Sequence, residues 1–439
     1  METSTQDTSV PAVLEAKEAT GVIVERFSEP AWLAERRRQA WDVYVATEMP
    51  SRVQHLWRYT DPAPFDLKTD QILPGATSGG SDLTLQEIVK DNLAGYAAWH
   101  DDKMVEISLD PKLAAAGVVL CDLHEAANEH ASLVKTHLGS VVGTDHGKFE
   151  ALNAATWQAG LFLYVPKGVV IEQPIHLITS AGSESPFFAS RLLVILEEGA
   201  QLTLINEYAS EQDVEISANG VIETVLGQNS NLRLVSVQRW SEKVTVLVTQ
   251  RADLARDAQM LTLWAALGGG LSKVDMGSRL MGKGADVKLL GLAFGQRNQH
   301  FDHHTVHDHQ SGNTLSNLDF KVVLKDNARS VYTGLIRIEQ YAPVCEAYQT
   351  NRNLLLSEGA RADTIPELEI LTDEVRCSHG ATIGPLDDDQ IFYLRARGIP
   401  RDEAIRMVVN GFVEPTLAEV PEDLRDRLRS YVAERVKEI

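Results

Sequence analysis

The chain has 439 residues, with 62 acidic and 41 basic side chains and a net charge of -21 at pH 7. This length exceeds what one compact core usually supports, so we expect two or three domains or one elongated repeat domain. The negative charge argues against a sequence-independent grip on nucleic acid or on an anionic membrane. Cys121, Cys345 and Cys377 are the three cysteines, too few for a disulfide framework, and they favour a reducing compartment.

The first thirty residues lack the basic and apolar regions of a secretion signal. No apolar run approaches the roughly 18 to 20 residues that a membrane span needs. We therefore expect a cytoplasmic, soluble protein.

The N-terminal third has helical texture. Residues 1–25 are polar and are predicted to be a mobile tail. Residues 26–150 are predicted to form a helical or mixed domain, because apolar residues recur at helical spacing after residue 30. The stretches 82–100 and 121–139 are also predicted to be helical.

Residues 151–384 consist of short β-rich runs separated by Gly, Asn, Asp or Pro. No helix-length amphipathic segment interrupts them, which excludes a doubly wound α/β fold. Turns with a small residue recur before alternating apolar positions, at intervals of roughly 30 residues, and a weaker copy divides the one longer interval. The marker positions are Ala200, Ser230, Ala258, Ala285, Asn313, Ala328 and Ala360, with Asn313 in the weaker copy.

Steps of this size predict the coils of a parallel β-helix, in which each coil stacks its inward apolar residues on the next. A β-sandwich also has alternating strands and remains the alternative. The β-helix is favoured because sandwich strands carry no recurring turn sequence.

Residues 385–439 are predicted to form three short helices, ending at Gly398, at Gly411 and near the end of the chain. They carry more apolar side chains than a unit of this size readily buries alone. These side chains could dock on the β-helix or occupy a groove of a partner, and the sequence favours neither.

Motifs of common enzyme classes are absent. The chain has no phosphate-binding P-loop, no dinucleotide fingerprint, no nucleophile elbow and no Cys-x-x-Cys. It is therefore expected to bind no nucleotide itself, and one chain cannot supply four cysteines to a cluster.

A histidine-rich stretch and a second short motif remain as candidate sites. The stretch 300–309, HFDHHTVHDH, could hold a metal or move protons, but a polar ladder between neighbouring coils is favoured. In CSHGATIG, Cys377 and His379 lie two positions apart, so an extended strand directs both side chains to the same face.

The chain resembles the SufD-type subunit of the SUF iron–sulfur cluster assembly machinery, within the wider SufB/SufD family. The segments that carry the resemblance are SEPAWL (28–33), WRYTD (57–61), LNAATWQAGLFLYVPKGV (152–169), DHHTVHDH (302–309), KDNARSVYTGLIRI (325–338), QTNRNLLLS (349–357), EGARADTIPELEI (358–370), CSHGATIG (377–384) and FYLRARGIPRDEA (392–404).

The resemblance implies a non-catalytic cytoplasmic scaffold built as a right-handed parallel β-helix between N-terminal and C-terminal helical regions. It implies pairing with a SufB-type subunit through the end of the β-helix, and docking of a SufC-type ATPase on the C-terminal helices. His379 would contribute to a transient iron–sulfur cluster shared with the SufB-type partner, with Cys377 as a secondary thiol ligand. For the ATPase, the expected contact residues are Phe392, Tyr393, Ile399, Ile405 and Met407.

Two departures separate this chain from SufB-type members. Thr350, in QTNRN, stands where they have a cysteine that accepts sulfur, and a hydroxyl cannot carry persulfide. CSHGAT stands where SufB-type members have a motif with two carboxylates. Two other classes of function stay open: a β-helix enzyme, such as a lyase or acyltransferase with a histidine-based site, and a structural partner in which His379 only caps the final coil.

Overall fold

The computed structural model describes residues 16–72, 92–182, 186–211, 213–420 and 422–437. The helices are α1 Ala16–Arg26, α2 Ala31–Ala46, α3 Thr69–Ile72, α4 Pro111–Ala115, α5 Leu123–Glu129, α6 Ala131–His137, α7 Lys148–Thr156, α8 Asp388–Arg395, α9 Arg401–Leu417 and α10 Glu422–Lys437. Short 3-10 turns occupy His55–Trp57 and Ala63–Phe65.

Nineteen strands are described. They are β1 Gly95–His100, β2 Lys103–Leu109, β3 Val119–Asp122, β4 Ala159–Val165, β5 Ile175–Ala181, β6 Phe187–Leu196, β7 Gln201–Ser210, β8 Ser217–Leu226, β9 Asn231–Arg239, β10 Thr245–Leu254, β11 Gln259–Ala266, β12 Leu271–Leu280, β13 Asp286–Gly295, β14 His300–His309, β15 Leu315–Leu324, β16 Arg329–Ile338, β17 Cys345–Leu355, β18 Arg361–Ile370 and β19 Val375–Pro385.

Strands alternate between two sheets, so each turn of the chain adds one strand to each. The ten-stranded sheet has the order β19-β17-β15-β13-β11-β9-β7-β5-β1-β2, and the nine-stranded sheet has the order β18-β16-β14-β12-β10-β8-β6-β4-β3. All described pairs are parallel except β1 with β2 and β3 with β4. The predicted parallel β-helix is confirmed, as a solenoid of about eight turns with helices at both ends, and the sandwich alternative is excluded.

The recurring turn residues sit at the corners of the solenoid. Ala200 and Ser230 lie in tight turns, each donating its backbone N–H to the carbonyl three residues earlier, and both are buried. At five of these corners the residue before the buried turn position has a positive φ, which Gly, Asn and Asp tolerate best. Those residues are Gly199, Asn229, Asp257, Gly284 and Asn313, with φ of 70, 55, 56, 75 and 59°.

The short step from Asn313 to Ala328 marks a change of corner. Ala285 precedes β13 of the ten-stranded sheet, whereas Ala328 and Ala360 precede β16 and β18 of the nine-stranded sheet. At the corner before β15 the buried residue is Thr314, not Asn313, so the expected marker was displaced by one position.

The N-terminal region covers the outer face of the nine-stranded sheet. Leu33 and Trp41 of α2 and Leu152 of α7 share an apolar cluster with Phe187 and Leu193 of β6. Residues 95–100 were predicted to be helical but form β1, because Ala97 and Trp99 fill the first coil of the solenoid core. Of the rest of that prediction, residues 92–94 are not helical, and residues 82–91 lie outside the described part of the chain. Residues 16–25, predicted to belong to a tail, lie in α1.

The C-terminal helices cover the outer face of the ten-stranded sheet. Ile405, Val409 and Val413 of α9 pack against Leu263 and Leu292 of the solenoid. This packing explains why α9 continues through Gly411 to Leu417, although the sequence predicted an end at Gly411. No described helix combines the length and the apolarity needed to cross a membrane.

Candidate functional site

The last coil of the solenoid leaves both sheets with an open edge. β19 pairs with β17 and ends the ten-stranded sheet, and β18 pairs with β16 and ends the nine-stranded sheet. Each edge strand presents backbone N–H and C=O groups that no further described strand satisfies. Such edges are templates for pairing with another chain.

Side chains that point into the solenoid stack on those of the coil before, and these interior columns also end uncovered at the last coil. In the register of β16 and β18, Leu368 lies over Ile336 and Ile370 over Ile338. The two lower side chains are fully buried, whereas Leu368 and Ile370 are 37 % and 36 % exposed. Ile383 of β19, which lies over the buried Asn353, is also exposed. The terminal coil therefore displays apolar side chains at positions that the coil beneath it buries.

Cys377 and His379 belong to the same uncovered set. Their partners in β17 are Ala347 and Gln349, both buried residues that point into the solenoid. Because paired residues of parallel strands point to the same side, Cys377 and His379 share the inward direction at the open end. The predicted common face of these two side chains is confirmed. His379 is exposed, and Cys377 is half-buried.

The environment of Cys377 favours the neutral thiol. Burial raises the pKa of this thiol, and the nearby Cys345 raises it further. Cys345 is a fully enclosed free thiol, with its Sγ 3.1 Å from Thr314 Oγ1. Thiolate coordination at Cys377 would require the metal to displace a proton.

Thr350 lies away from these two groups. It pairs with Gly380, one position along β17 from Gln349, so its side chain points to the outer face of the sheet. The Thr350 hydroxyl therefore does not face His379.

The histidine stretch forms β14, and its side chains alternate between two environments. On the outer face, Asp302 contacts Lys273 of the neighbouring coil with an Oδ2–Nζ distance of 3.0 Å and accepts from Thr60. Inside, His309 contacts Thr314 and Ser316. The Asp302–Lys273 contact joins neighbouring coils, as the predicted polar ladder requires, whereas the contacts of His309 stay within one coil. Both ring nitrogens of His303 and His307 have no hydrogen-bond partner among the described residues, so the ladder is only partly formed. Nowhere in the described ranges do three His, Cys, Asp or Glu side chains converge to hold a metal ion.

The C-terminal residues that sequence analysis selected for ATPase contact fall into two groups. Phe392, Tyr393 and Met407 are exposed, at 72, 56 and 47 %. Ile405 is 3 % exposed and packs on the solenoid, and Ile399 is partly buried in the same cluster. The expected exposure of Ile405 was wrong, because the apolar face of α9 is used within the chain.

Sequence reasoning missed Leu368, Ile370 and Ile383 as functional candidates. They read as ordinary inward positions of alternating strands, and nothing in their local pattern marks the coil as the last one. The signal that could have found them is the position of PLDDD, where strand texture stops directly after the final repeat.

Two family models match the chain. Residues 177–412 match the model described as "SUF system FeS cluster assembly, SufBD core domain", and residues 86–177 match the "SufBD protein N-terminal region". Among curated proteins, the chain is 28 % identical over 403 residues to an iron–sulfur cluster assembly SufBD family protein of Staphylococcus haemolyticus. It is 27 % identical to proteins of the same description from Staphylococcus epidermidis and Staphylococcus aureus.

These alignments cover 90 % of this chain and 87 % of each relative. The core model alone spans more than half of the chain and includes most of the solenoid, the open coil and the start of the C-terminal helices. The chain belongs to the SufBD family of the SUF iron–sulfur cluster assembly system.

Proposed function

We propose that this chain is the SufD-type scaffold subunit of a cytoplasmic SUF assembly complex and pairs with a SufB-type paralogue through its last coil. The observation that carries the proposal is the uncovered coil β18–β19, with its two open edges and its exposed Leu368, Ile370 and Ile383. Full burial of one such side chain is worth about 1.5–3 kcal/mol. A solenoid of the same family presents matching edges and columns, so it is the partner whose geometry best fits this end.

His379 supplies one ligand to a nascent cluster at that interface. Its imidazole is exposed at the open end, and the residue beneath it, Gln349, is buried. Imidazole is a good ligand for iron and can release it on protonation, which suits a site that must pass on its product. The remaining ligands come from the partner, because the described ranges of this chain hold no cluster of three ligand side chains.

The ATPase of the complex docks on the exposed side of the C-terminal helices. Phe392 and Tyr393 lie in α8 and Met407 in α9, and all three point away from the solenoid that their helices cover. The hydrolytic activity of the complex belongs to that ATPase, and this chain acts as a scaffold without catalysis of its own.

Affinity purification of the tagged full-length chain from its native cells tests the proposal. We expect recovery of a paralogous β-solenoid chain and an ATPase. A Leu368→Asp chain should lose the paralogue and keep the ATPase, because the charge would be buried only at the open end. Recovery of neither protein with the unmodified chain would contradict the proposal.

A further inference from the structure

A cavity of about 360 Å³ lies on the outer face of the nine-stranded sheet, over β10, β12 and β14 and not over the last coil. Its walls come from residues 47–57 and 146–150, and its floor from β10, β12 and β14. This volume falls in the range of small-molecule sites in proteins. Neither the proposed pairing nor the proposed ATPase docking uses it.

The walls are mostly apolar and aromatic. Trp57, Phe149 and Leu247 line the cavity and are all buried, and the two aromatic rings lie 5.4 Å apart between centroids. Flat ring surfaces of this kind pack best against another aromatic ring.

The charged groups at the floor already have partners of opposite charge. Lys273 Nζ donates to Asp302 Oδ2 at 3.0 Å and to the carbonyl of Leu56 at 2.6 Å. Asp275 Oδ2 accepts from Arg251 Nη2 at 2.5 Å. Lys273 and Asp275 therefore offer a charged ligand no free counter-charge, so an uncharged ligand fits the floor better.

His304 is the group at the floor with an unpartnered nitrogen. It lines the cavity, is 4 % exposed, and its Nε2 lies 2.8 Å from Asp302 Oδ1. Its Nδ1 has no hydrogen-bond partner among the described residues. Burial acts to raise the pKa of Asp302, but His304, Lys273 and Thr60 outweigh it and hold this pKa well below its usual range.

The ionised carboxylate determines which nitrogen of His304 carries the proton. In the neutral ring the proton sits on Nε2, facing Asp302, and Nδ1 is left with a lone pair. A buried acceptor of this kind requires a donor, because it has lost its hydrogen bonds to water. The missing donor and the aromatic walls define one class of ligand.

We propose that this cavity binds a small, uncharged aromatic compound that donates an N–H or O–H hydrogen bond to His304 Nδ1. The ring packs against the surface that Trp57, Phe149 and Leu247 form, and the donor faces the floor. Such a ligand would bind this chain alone, with no need of a partner subunit.

Calorimetric titration of the purified full-length chain with two matched probes tests the proposal. Indole carries the N–H donor, and benzothiophene has the same shape with sulfur in its place. Indole should bind, and benzothiophene should bind at least about tenfold more weakly, because only one ring hydrogen bond differs. No binding of indole at millimolar concentration, or equal binding of both probes, would overturn the proposal.

Three variants locate the bound probe. His304→Leu should reduce indole affinity about tenfold, and Leu247→Trp should abolish binding by filling the cavity. His300→Leu is the matched control, since His300 lies on the same face of β14 outside the cavity lining and should leave binding unchanged. Binding that survives Leu247→Trp would place the probe elsewhere and contradict the proposed site. The probe comparison in the unmodified chain keeps the test valid if a variant fails to fold.

Discussion

His379 lies directly over Gln349, as neighbours in the register of β17 and β19, yet the amide is 2 % exposed and the imidazole is exposed. The two side chains hold equivalent positions in successive coils, and only the absence of a further described coil distinguishes them. A second chain that added its own coil would enclose His379 as Gln349 is enclosed. The imidazole would then face a closed, partly apolar interface, where a metal ligand is protected from water.

The first prediction concerns cluster formation. His379→Ala should leave folding and pairing intact and strongly reduce the maturation of iron–sulfur enzymes in cells, because it removes one ligand without changing the apolar contacts of the coil. Cys377→Ser should be much milder, since burial disfavours its thiolate. Enzyme maturation in a strain that depends on this chain measures both. Normal maturation with His379→Ala would refute the ligand role.

The second prediction concerns ATPase docking. Phe392→Ser combined with Tyr393→Ser should weaken retention of the ATPase at least about tenfold, because aromatic side chains dominate the energetics of most interfaces. Met281→Ser is the control, since Met281 is also about half exposed but lies at a corner of the solenoid. Co-purification yields measure both, and undiminished retention by the double variant would place the docking surface elsewhere.

Deleting residues 386–439 would be a poorer test of ATPase docking than these substitutions. The deletion would uncover the apolar outer face of the ten-stranded sheet, including Leu263, Leu290 and Leu292. We expect the truncated solenoid to aggregate, which would confuse loss of docking with loss of solubility.

The third prediction concerns stability. Glu29 and Arg37 form a fully buried ion pair. His124 also contacts Glu29, with 2.8 Å between its Nδ1 and Glu29 Oε1. Although burial acts to raise it, Arg37 and His124 lower the pKa of Glu29 to about 2. Arg37→Met leaves a buried carboxylate with one weaker partner and should cost about 3–5 kcal/mol. Lys167→Met, at an exposed pair with Glu198, should cost about 1 kcal/mol or less. Urea unfolding of both variants gives the comparison, and equal losses would contradict it.

The fourth prediction is a loss of stability in mild acid. Burial lowers the pKa of His303 and His307 to about 3 and that of His300 and His309 to about 4. The unfolded chain binds these protons near pH 6.5, so stability is complete above that pH and falls as the pH drops towards 4. Each group contributes up to about 1.4 kcal/mol per pH unit in this window. The urea midpoint should decrease from pH 7 to pH 5, and less steeply in His307→Leu; parallel curves would contradict the assignment.

The solenoid was predictable because its cause is local and repeated. Corners favour a small or left-handed residue, such as Gly199 or Asn229, and inward apolar residues recur at every second position early in strands such as β7 and β9. The common face of Cys377 and His379 followed from the same alternation. These features depend only on spacing along the chain.

What the sequence did not predict depends on packing between distant segments. Ile405 looked like an exposed contact because nothing local shows that α9 lies on Leu263 and Leu292. The cavity was also missed, since it joins Trp57 of the N-terminal region to His304 of β14, two residues that lie far apart in the sequence. The sequence of β14 does not show which histidines point inward and which outward. In the structure, Asp302 and His304 face outward and His303 faces the core.

Hydrogen–deuterium exchange of the last coil, measured with and without a purified SufB-type chain, tests the central claim most directly. Peptides covering β18 and β19 should gain strong protection on mixing, because their open edges become paired and Leu368 and Ile370 become buried. Peptides from α8 should change only when the ATPase is added. Unchanged exchange in residues 361–385, in a mixture that does form a complex, would contradict pairing through the open end of the solenoid.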